Sequence, residues 1–335
     1  MLNLLPWHQP QWQQFVQTRR NDRLPHALLL AGPNGIGLKE FSGVMTSGLL
    51  CRSPQENYFP CGVCKSCELF MTGNHPDIYR IEPEEEGKQI KVEQIRKLIE
   101  FINLKSQYEG YKVVVISPAD GMNRSAANTL LKTLEEPPEL SLLILLSHRP
   151  NMLPITIRSR CQQIWFSPTY DKSAIKWLEQ QLQDATLAEE LLKMTGGAPV
   201  AALEMMGNSV IEKQHIIIDD LELLLKAQQD PIKIAEKWNA YGSNQVFTWL
   251  LQLFGDMLRI KSDAKPLRLY QTGVFTRLQR LTNRLDLYGL MLCHDLILKN
   301  YSLSMSQISY NAQGLLEDFI IYWQIQTKHS GGQLT

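Results

Sequence analysis

The sequence predicts an N-terminal α/β domain with a parallel sheet, followed by a small helical domain and an all-α C-terminal domain. Short apolar runs at residues 27–31, 112–116 and 142–146 are separated by helical patterns, as in a parallel sheet that is covered on both faces. A weaker fourth run lies at residues 162–166. After residue 168 the strand pattern ends, and apolar residues recur at helical spacing.

The length and composition limit the class of protein. At about 100–200 residues per domain, 335 residues correspond to two or three domains. We expect an α/β domain over residues 1–167, a small helical domain over 168–207 and a C-terminal domain over 208–335. Hydrophobic residues make up 44% of the chain, which excludes global disorder. Its 34 basic and 34 acidic residues balance, so autonomous DNA binding is not favoured.

Two further features predict a cytoplasmic protein without a membrane partner. No apolar run reaches the roughly 18 residues of a membrane span. The first ten residues lack a basic region, so we do not expect a secretory signal. In a reducing compartment, the six cysteines favour metal binding over disulfides.

The helical patterns are clearest in two places. In the α/β domain, the spacing of Ala127 and Leu134 predicts a helix that ends before Pro137. In the C-terminal domain, a helix that begins near Ser243 carries a wide apolar stripe. Such a stripe either packs on more than one side, as in an assembly, or places the helix at the centre of its own bundle. A further helix is expected to carry Leu278, Leu281 and Leu285.

A glycine-rich run, G-P-N-G-I-G-L-K-E, follows the first apolar run and precedes a helical stretch, the context of a phosphate loop. Gly32, Gly35 and Gly37 allow turns that aim backbone N–H groups at an anion. A working loop reads G-x-x-x-x-G-K-[ST], which puts Leu38 at the lysine position and Lys39 at the hydroxyl position. The three glycines and Lys39 are therefore candidate nucleotide contacts in a degenerate loop.

The usual partner of such a loop is an acidic pair at the end of a neighbouring strand. Here residues 112–116 are followed by Ser117 and Pro118, which cannot ligand Mg²⁺ as carboxylates. The lysine, the hydroxyl and the acidic pair are all displaced or absent. The sequence therefore predicts that this chain does not hydrolyse ATP with Mg²⁺. The alternative is an ordinary glycine-rich turn.

Four of the six cysteines form a group with the spacing C-x₉-C-x₂-C-x₂-C. They are Cys51, Cys61, Cys64 and Cys67, within the insert at residues 51–67. Four thiolates can hold a tetrahedral Zn²⁺ and leave no position open for catalysis, which predicts a structural zinc site. The alternative is a set of free, partly buried thiols. Cys161 and Cys293 stand alone and are expected in the core.

The run S-R-C at residues 159–161 lies in a loop before the fourth apolar run. Loops of a rigid α/β scaffold commonly carry function. Arg160 can therefore act as an arginine finger on a neighbouring subunit's nucleotide. The alternative is an exposed arginine that makes only surface contacts.

Several runs occur together in an order found in one protein family. They are L-P-H-A-L-L-L at 24–30, the glycine-rich loop, the cysteine insert, N-H-P-D at 74–77, N-T-L-L-K-T-L-E-E-P-P at 128–138 and S-R-C at 159–161. Together they resemble the bacterial clamp-loader subunits of the AAA+ superfamily over about residues 1–205. The L-L-K-x-L-E-E-P-P and S-R-C runs are the specific elements, while the C-terminal part matches only in length and helical character.

The resemblance implies a subunit of the DNA polymerase III clamp loader that has no ATPase or polymerase activity of its own. It implies gamma/tau motor subunits, a delta subunit, the sliding clamp and, through the complex, primed DNA as partners, at the nucleoid-associated replisome of the cytoplasm. It further implies that Arg160 serves the adjacent motor subunit's ATP, and that the C-terminal helices form a collar joining the subunits.

Two other functions stay open from the sequence. A catalytically active AAA+ motor subunit would have to tolerate Leu38 together with Ser117 and Pro118. A phosphate-loop nucleotide kinase would need its own lysine and a lid of arginines over the phosphates. Nucleotide turnover by the pure chain distinguishes both from a non-hydrolysing subunit.

Overall fold

The computed structural model describes most of the chain and divides it into two compact units. The described residues are 3–85, 88–108, 110–207, 210–226, 228–262, 274–305 and 310–330. Of these residues, those up to Trp177 and Gly197–Ala201 form one unit, and Leu178–Gly196 and those from Ala202 onward form the other. The division into three domains stays a prediction, and its boundary residue 208 lies outside the described residues.

A five-stranded parallel sheet forms the centre of the first unit. Its strands are β1 (Ala27–Ala31), β2 (Ile78–Ile81), β3 (Lys112–Ile116), β4 (Ser141–Ser147) and β5 (Gln162–Trp165). The lateral order is β2-β3-β4-β1-β5, so all carboxyl ends lie at one edge. At that edge Ala31 pairs with Ser147 on one side and Trp165 on the other.

The four predicted strands are confirmed, and β1, β3 and β4 are buried along their whole length, as expected of a sheet covered on both faces. Sequence analysis missed β2. This strand has four residues, and the exposed Arg80 interrupts its apolar character. A sequence run this short and mixed carries no clear strand periodicity.

Helices cover the sheet of the first unit. They are α1 (Gln9–Arg20), α2 (Leu38–Leu50), α3 (Lys65–Met71), α4 (Val92–Ile102), α5 (Arg124–Glu135) and α6 (Ile155–Arg158). Helix α5 begins where the Asn123 side chain accepts a hydrogen bond from the Ala126 N–H at 2.8 Å, a helix N-cap. It ends before Pro137 as predicted, and its buried face includes Leu130 and Leu134.

The remaining helices belong wholly or partly to the second unit. They are α7 (Lys172–Leu182), α8 (Ala185–Met194), α9 (Pro199–Gly207), α10 (Val210–Leu225), α11 (Pro231–Asn239), α12 (Ser243–Ser262), α13 (Phe275–Thr282), α14 (Leu287–Ser304) and α15 (Ala312–Ser330). None of the described helices combines the length and the hydropathy needed to cross a lipid bilayer.

Helix α12 lies at the centre of the helical bundle. It packs against α11, α13, α14 and α15, and its Phe254 ring meets Phe319 and Trp323 edge-on, with centroids 5.5 and 5.4 Å apart. The wide apolar stripe is therefore accounted for by packing within this chain. The prediction that Leu285 shares a helix with Leu278 was wrong, because α13 ends at Thr282. Leu285 is nevertheless buried in the same core.

Candidate functional site

The glycine-rich loop leads from the carboxyl end of β1 into α2, where the sequence predicts a phosphate loop. Gly35 and Gly37 have φ angles of +75° and +99°, which only glycine adopts without strain. Gly37 directly precedes α2. A Cβ atom on Gly32 would lie 2.7 Å from the Phe166 carbonyl oxygen. Each of the three glycines is thus required by the backbone geometry or by close packing.

Contacts within the chain hold this loop from two sides. The Gly35 carbonyl accepts hydrogen bonds from the N–H groups of Val200 at 2.9 Å and Ala201 at 3.3 Å, at the start of α9. The next carbonyl, of Ile36, accepts from Trp7 Nε1 and lies 2.9 Å from His8 Nε2. The loop is therefore anchored by hydrogen bonds at Gly35 and Ile36, while Asn34 stays exposed.

His8 supports the loop as a neutral side chain. Its ring is fully buried, and burial lowers the pKa of His8 to about 4. The ring lies against Trp7, Phe41 and Phe166. Because the imidazole is neutral, its single N–H can be carried by Nε2 and donated to the Ile36 carbonyl.

Leu38 and Lys39 occupy the lysine and hydroxyl positions of the loop, and neither is placed to contact a phosphate. Leu38, at the lysine position, is buried with only 2% of its surface exposed. The Lys39 ammonium lies 2.8 Å from Glu82 Oε1, in an exposed ion pair. One step along an α-helix turns a side chain by about 100°, which explains why the displaced lysine faces a different neighbour. The residues present at this loop therefore do not fit Mg²⁺-ATP as a reacting substrate.

The end of β3 does not carry the acidic pair that holds Mg²⁺ in a working loop. The positions of the acidic pair carry Ser117 and Pro118, as the sequence predicts. The nearby Asp120 carboxylate is turned to other partners, because it accepts a hydrogen bond from Ser147 Oγ at 2.7 Å and pairs with Arg149 Nε at 3.2 Å. Sequence analysis did not assign these contacts, since they join loops that follow different strands.

The four predicted cysteines come together at one place. Their Sγ atoms all lie within 4.8 Å of one another, with Cys51 and Cys64 3.8 Å apart and Cys61 and Cys67 3.9 Å apart. A tetrahedral zinc ion with Zn–S bonds of about 2.3 Å separates its sulfur ligands by about 3.8 Å. None of the four forms a disulfide. The cluster therefore has the ligand type and spacing to hold a metal ion.

Backbone N–H groups donate hydrogen bonds to two of the cysteine sulfurs. The Cys61 N–H donates to Cys51 Sγ and the Cys64 N–H donates to Cys61 Sγ, each at 3.3 Å. Backbone N–H groups of Val63 and Cys64 lower the pKa of Cys61 to about 6, whereas burial raises the pKa of Cys67 to about 12. The lone cysteines, Cys161 and Cys293, are buried as predicted.

A buried polar network fastens the cysteine insert to the sheet. Ser66, which lies between two of the cysteines, donates to the Leu50 carbonyl at 2.6 Å, next to Cys51. His75 Nε2 lies 2.9 Å from Ser66 Oγ, and His75 Nδ1 accepts from the Asp77 N–H at 3.1 Å. The N-H-P-D run thus has a structural role that sequence analysis did not assign, because residue spacing alone does not show that His75 lies against Ser66.

Arg160 lies at the opposite edge of the sheet from the glycine-rich loop. It precedes β5, whereas the loop follows β1, and the two strands pair in parallel. A strand of this length, at about 3.3 Å per residue, separates the two edges by about 15 Å. The Arg160 guanidinium pairs with Glu135 Oε1 at 2.6 Å and donates to the Thr156 carbonyl at 2.9 Å. Arg160 is therefore not positioned to serve this chain's own loop.

The strand order, the glycine-rich loop after β1 and the helical C-terminal part define an AAA+ fold. A family model described as DNA polymerase III, delta subunit, matches residues 7–170. A second model, for the C-terminal part of the DNA polymerase III delta subunit, matches residues 210–324.

Named relatives agree with these matches. The DNA polymerase III subunit delta' of Pseudomonas aeruginosa is 34% identical over 325 residues, which cover 96% of this chain and 98% of that protein. The delta' subunit of Escherichia coli is 36% identical over 203 residues, 60% of each chain. The tau/gamma subunit of Haemophilus influenzae is 35% identical over 144 residues, 43% of this chain and 20% of that protein. The chain belongs to the family of DNA polymerase III delta' subunits.

We predict that Gly35→Ala destabilises the first unit more than Gly73→Ala does. The two glycines have the same φ of +75°, but a Cβ atom on Gly35 would overlap Ala201, whereas one on Gly73 meets no atom within 4 Å. Left-handed backbone costs an alanine about 1–2 kcal/mol at either site, and overpacking adds about 1–3 kcal/mol at Gly35 alone.

Urea unfolding followed by circular dichroism measures both losses in free energy of unfolding. Equal losses would mean that Ala201 is not fixed against the loop.

Proposed function

We propose that this protein is a non-hydrolysing subunit of the bacterial clamp loader that places the sliding clamp on primed DNA. In this function it completes the ATP site of a neighbouring motor subunit. The observation that carries the proposal is the separation of Arg160 from the chain's own degenerate loop by the length of the sheet. A basic group so placed serves a nucleotide only across a subunit boundary.

The chemistry of the proposed finger is electrostatic. Phosphoryl transfer from ATP spreads negative charge over the γ-phosphate, and a guanidinium held close to it lowers the energy of the transition state. The Arg160 side chain is 35% exposed, so part of it faces solvent in the isolated chain. Met152 and Ile155, in the same connection, are 70% and 71% exposed, which supports a partner surface around the finger.

The proposed absence of hydrolysis is supported by the residues at the lysine position, at the hydroxyl position and at the positions of the acidic pair. Leu38 supplies no charge to the β- and γ-phosphates, and Lys39, at the hydroxyl position, pairs with Glu82. Ser117 and Pro118 occupy the positions of the acidic pair, and neither has a carboxylate that could hold Mg²⁺ or orient a water.

The C-terminal helices are proposed to join this subunit to gamma/tau and delta subunits as a collar. Support comes from α14, on which apolar side chains remain exposed at helical spacing. They are Leu287, Tyr288, Met291 and Leu298, exposed by 44%, 69%, 50% and 42%. The complex would act at the replisome in the cytoplasm, and the clamp and DNA would be reached through it.

We further propose that the cysteine cluster holds a structural zinc ion. All four ligand positions are cysteines, so a bound ion would have no open position for catalysis. Zinc would hold the polar insert in place, because the insert contributes few apolar side chains of its own.

The zinc proposal predicts one equivalent of zinc per chain. Cys64→Ser should lose the metal and loosen the insert, whereas Cys161→Ala, at a buried cysteine outside the cluster, should retain it. Elemental analysis of protein purified without added metal gives the ratio. Less than half an equivalent in the wild-type chain, with four thiols reacting freely, would contradict the assignment.

The second expectation is that the purified chain releases phosphate from Mg²⁺-ATP no faster than the buffer background. The reconstituted complex with motor subunits, assayed under the same conditions, is the positive control. Sustained turnover by the chain alone, abolished by Lys39→Ala, would show that the displaced lysine serves a phosphate. That outcome would favour the active-motor alternative.

The sharpest expectation concerns Arg160→Ala. Arginine fingers raise the rate of hydrolysis by about 10³–10⁵, so hydrolysis should be lost at the one ATP site that Arg160 completes. Total clamp-stimulated hydrolysis by the complex should fall only in part, and clamp loading should fall further because the steps are coupled. Arg160→Lys should also be impaired, since an ammonium lacks the planar fork.

Assembly should be preserved in these variants, because a partly exposed ion pair contributes at most about 1 kcal/mol. Hydrolysis is therefore compared at equal assembly, with Arg124→Ala as the control at an exposed arginine of the same unit. Unchanged hydrolysis and loading in Arg160→Ala would reduce Arg160 to a surface residue.

A further inference from the structure

The Arg160 guanidinium is held by two groups from different elements. Glu135 Oε1, at the last residue of α5, lies 2.6 Å from one terminal nitrogen, and the Thr156 carbonyl in α6 accepts from the other at 2.9 Å. The first contact is a charge-assisted hydrogen bond of the short, strong kind. Two contacts on two nitrogens favour one position of the guanidinium and one orientation of its plane.

These contacts leave the arginine able to act. A guanidinium carries five N–H donors. One N–H on each terminal nitrogen is used, so each terminal nitrogen keeps a second N–H, and the Nε–H is not required by either contact. Side-chain exposures of 35% for Arg160 and 50% for Glu135 show that the pair reaches the surface. The guanidinium is therefore held in place and still has N–H groups available to a further acceptor.

The residue that holds it is itself on a rigid support. Glu135 ends a helix that begins at the Asn123 cap and buries Leu130 and Leu134 completely or nearly so. Its neighbour Glu136 is exposed and follows the end of the helix, and the described residues give its side chain no ion pair. Of these two adjacent exposed glutamates, Glu135 pairs with Arg160, so Glu136 serves as the matched control.

We propose that Glu135 is a positioning residue for Arg160, an inference that rests on the proposed finger function. By holding the guanidinium before the partner subunit arrives, Glu135 removes the need to order a long side chain during the reaction. The entropy lost when one such side chain is ordered lowers an equilibrium constant or a rate by roughly two- to tenfold. Loss of Glu135 should therefore weaken the finger without abolishing it.

The test uses the reconstituted clamp loader with this subunit as wild type, Glu135→Ala, Glu135→Gln, Glu136→Ala or Arg160→Ala. Clamp-stimulated ATP hydrolysis is measured at equal assembly over a range of ATP concentrations. The difference between wild type and Arg160→Ala defines the finger-dependent part of kcat.

We expect Glu135→Ala to lower the finger-dependent part of kcat about two- to tenfold. The KM for ATP should be unchanged, since ATP binds to another subunit. Glu135→Gln keeps an Oε1 acceptor and should recover most of the rate. Glu136→Ala should match wild type. In the Arg160→Ala background, Glu135→Ala should cause no further loss.

Three outcomes would overturn the inference. If Glu135→Ala matches wild type while Arg160→Ala falls, the finger stands and its positioning by Glu135 does not. If Glu135→Ala raises the rate, the carboxylate restrains the arginine and does not position it. If Arg160→Ala has no effect, the finger proposal fails, and this inference fails with it.

Discussion

The parallel pairing of β1 between β4 and β5 is the constraint on which the rest of the first unit depends. It brings the loops that follow β1 and β4 to one edge, where His148 Nδ1 lies 3.1 Å from the Gly32 carbonyl. It also sends the connection into β5, with Arg160, to the other edge. The same hydrogen-bonded register thus separates the site that a nucleotide would occupy from the arginine proposed to serve one.

The glycine-rich loop is held in place by contacts within its own chain. Carbonyls of Gly35 and Ile36 are engaged by the chain's own N–H groups, and the buried Leu38 adds to the core. These contacts fix the loop from two sides, and they agree with the proposal that it does not act on a nucleotide. The proposed division of labour follows: this chain supplies a rigid frame and one cation, and its neighbour supplies the reacting nucleotide.

The cysteine insert and the proposed finger are organised in the same manner. In both, short polar contacts join one element to another: Ser66, between two of the cysteines, donates to the Leu50 carbonyl and lies against His75, and Arg160 pairs with Glu135. Short polar contacts of this kind fix orientation more than they stabilise the fold, since the pair at Arg160 is partly exposed. They would provide the positional precision that the proposed metal binding and phosphoryl transfer require.

The sequence by itself determined the features that depend on neighbouring residues. Four of the strands, the end of α5 before Pro137 and the cysteine group followed from local spacing, and so did the displacement of Lys39 from its phosphate-binding position. Only the tertiary structure decided which partner each side chain takes. The pairing of Asp120 with Arg149 and of Glu135 with Arg160, and the enclosure of α12 within its own bundle, join segments far apart in the chain. Periodicity records which face of a helix is buried, but it does not record what covers that face, because the covering residues are brought there by the fold.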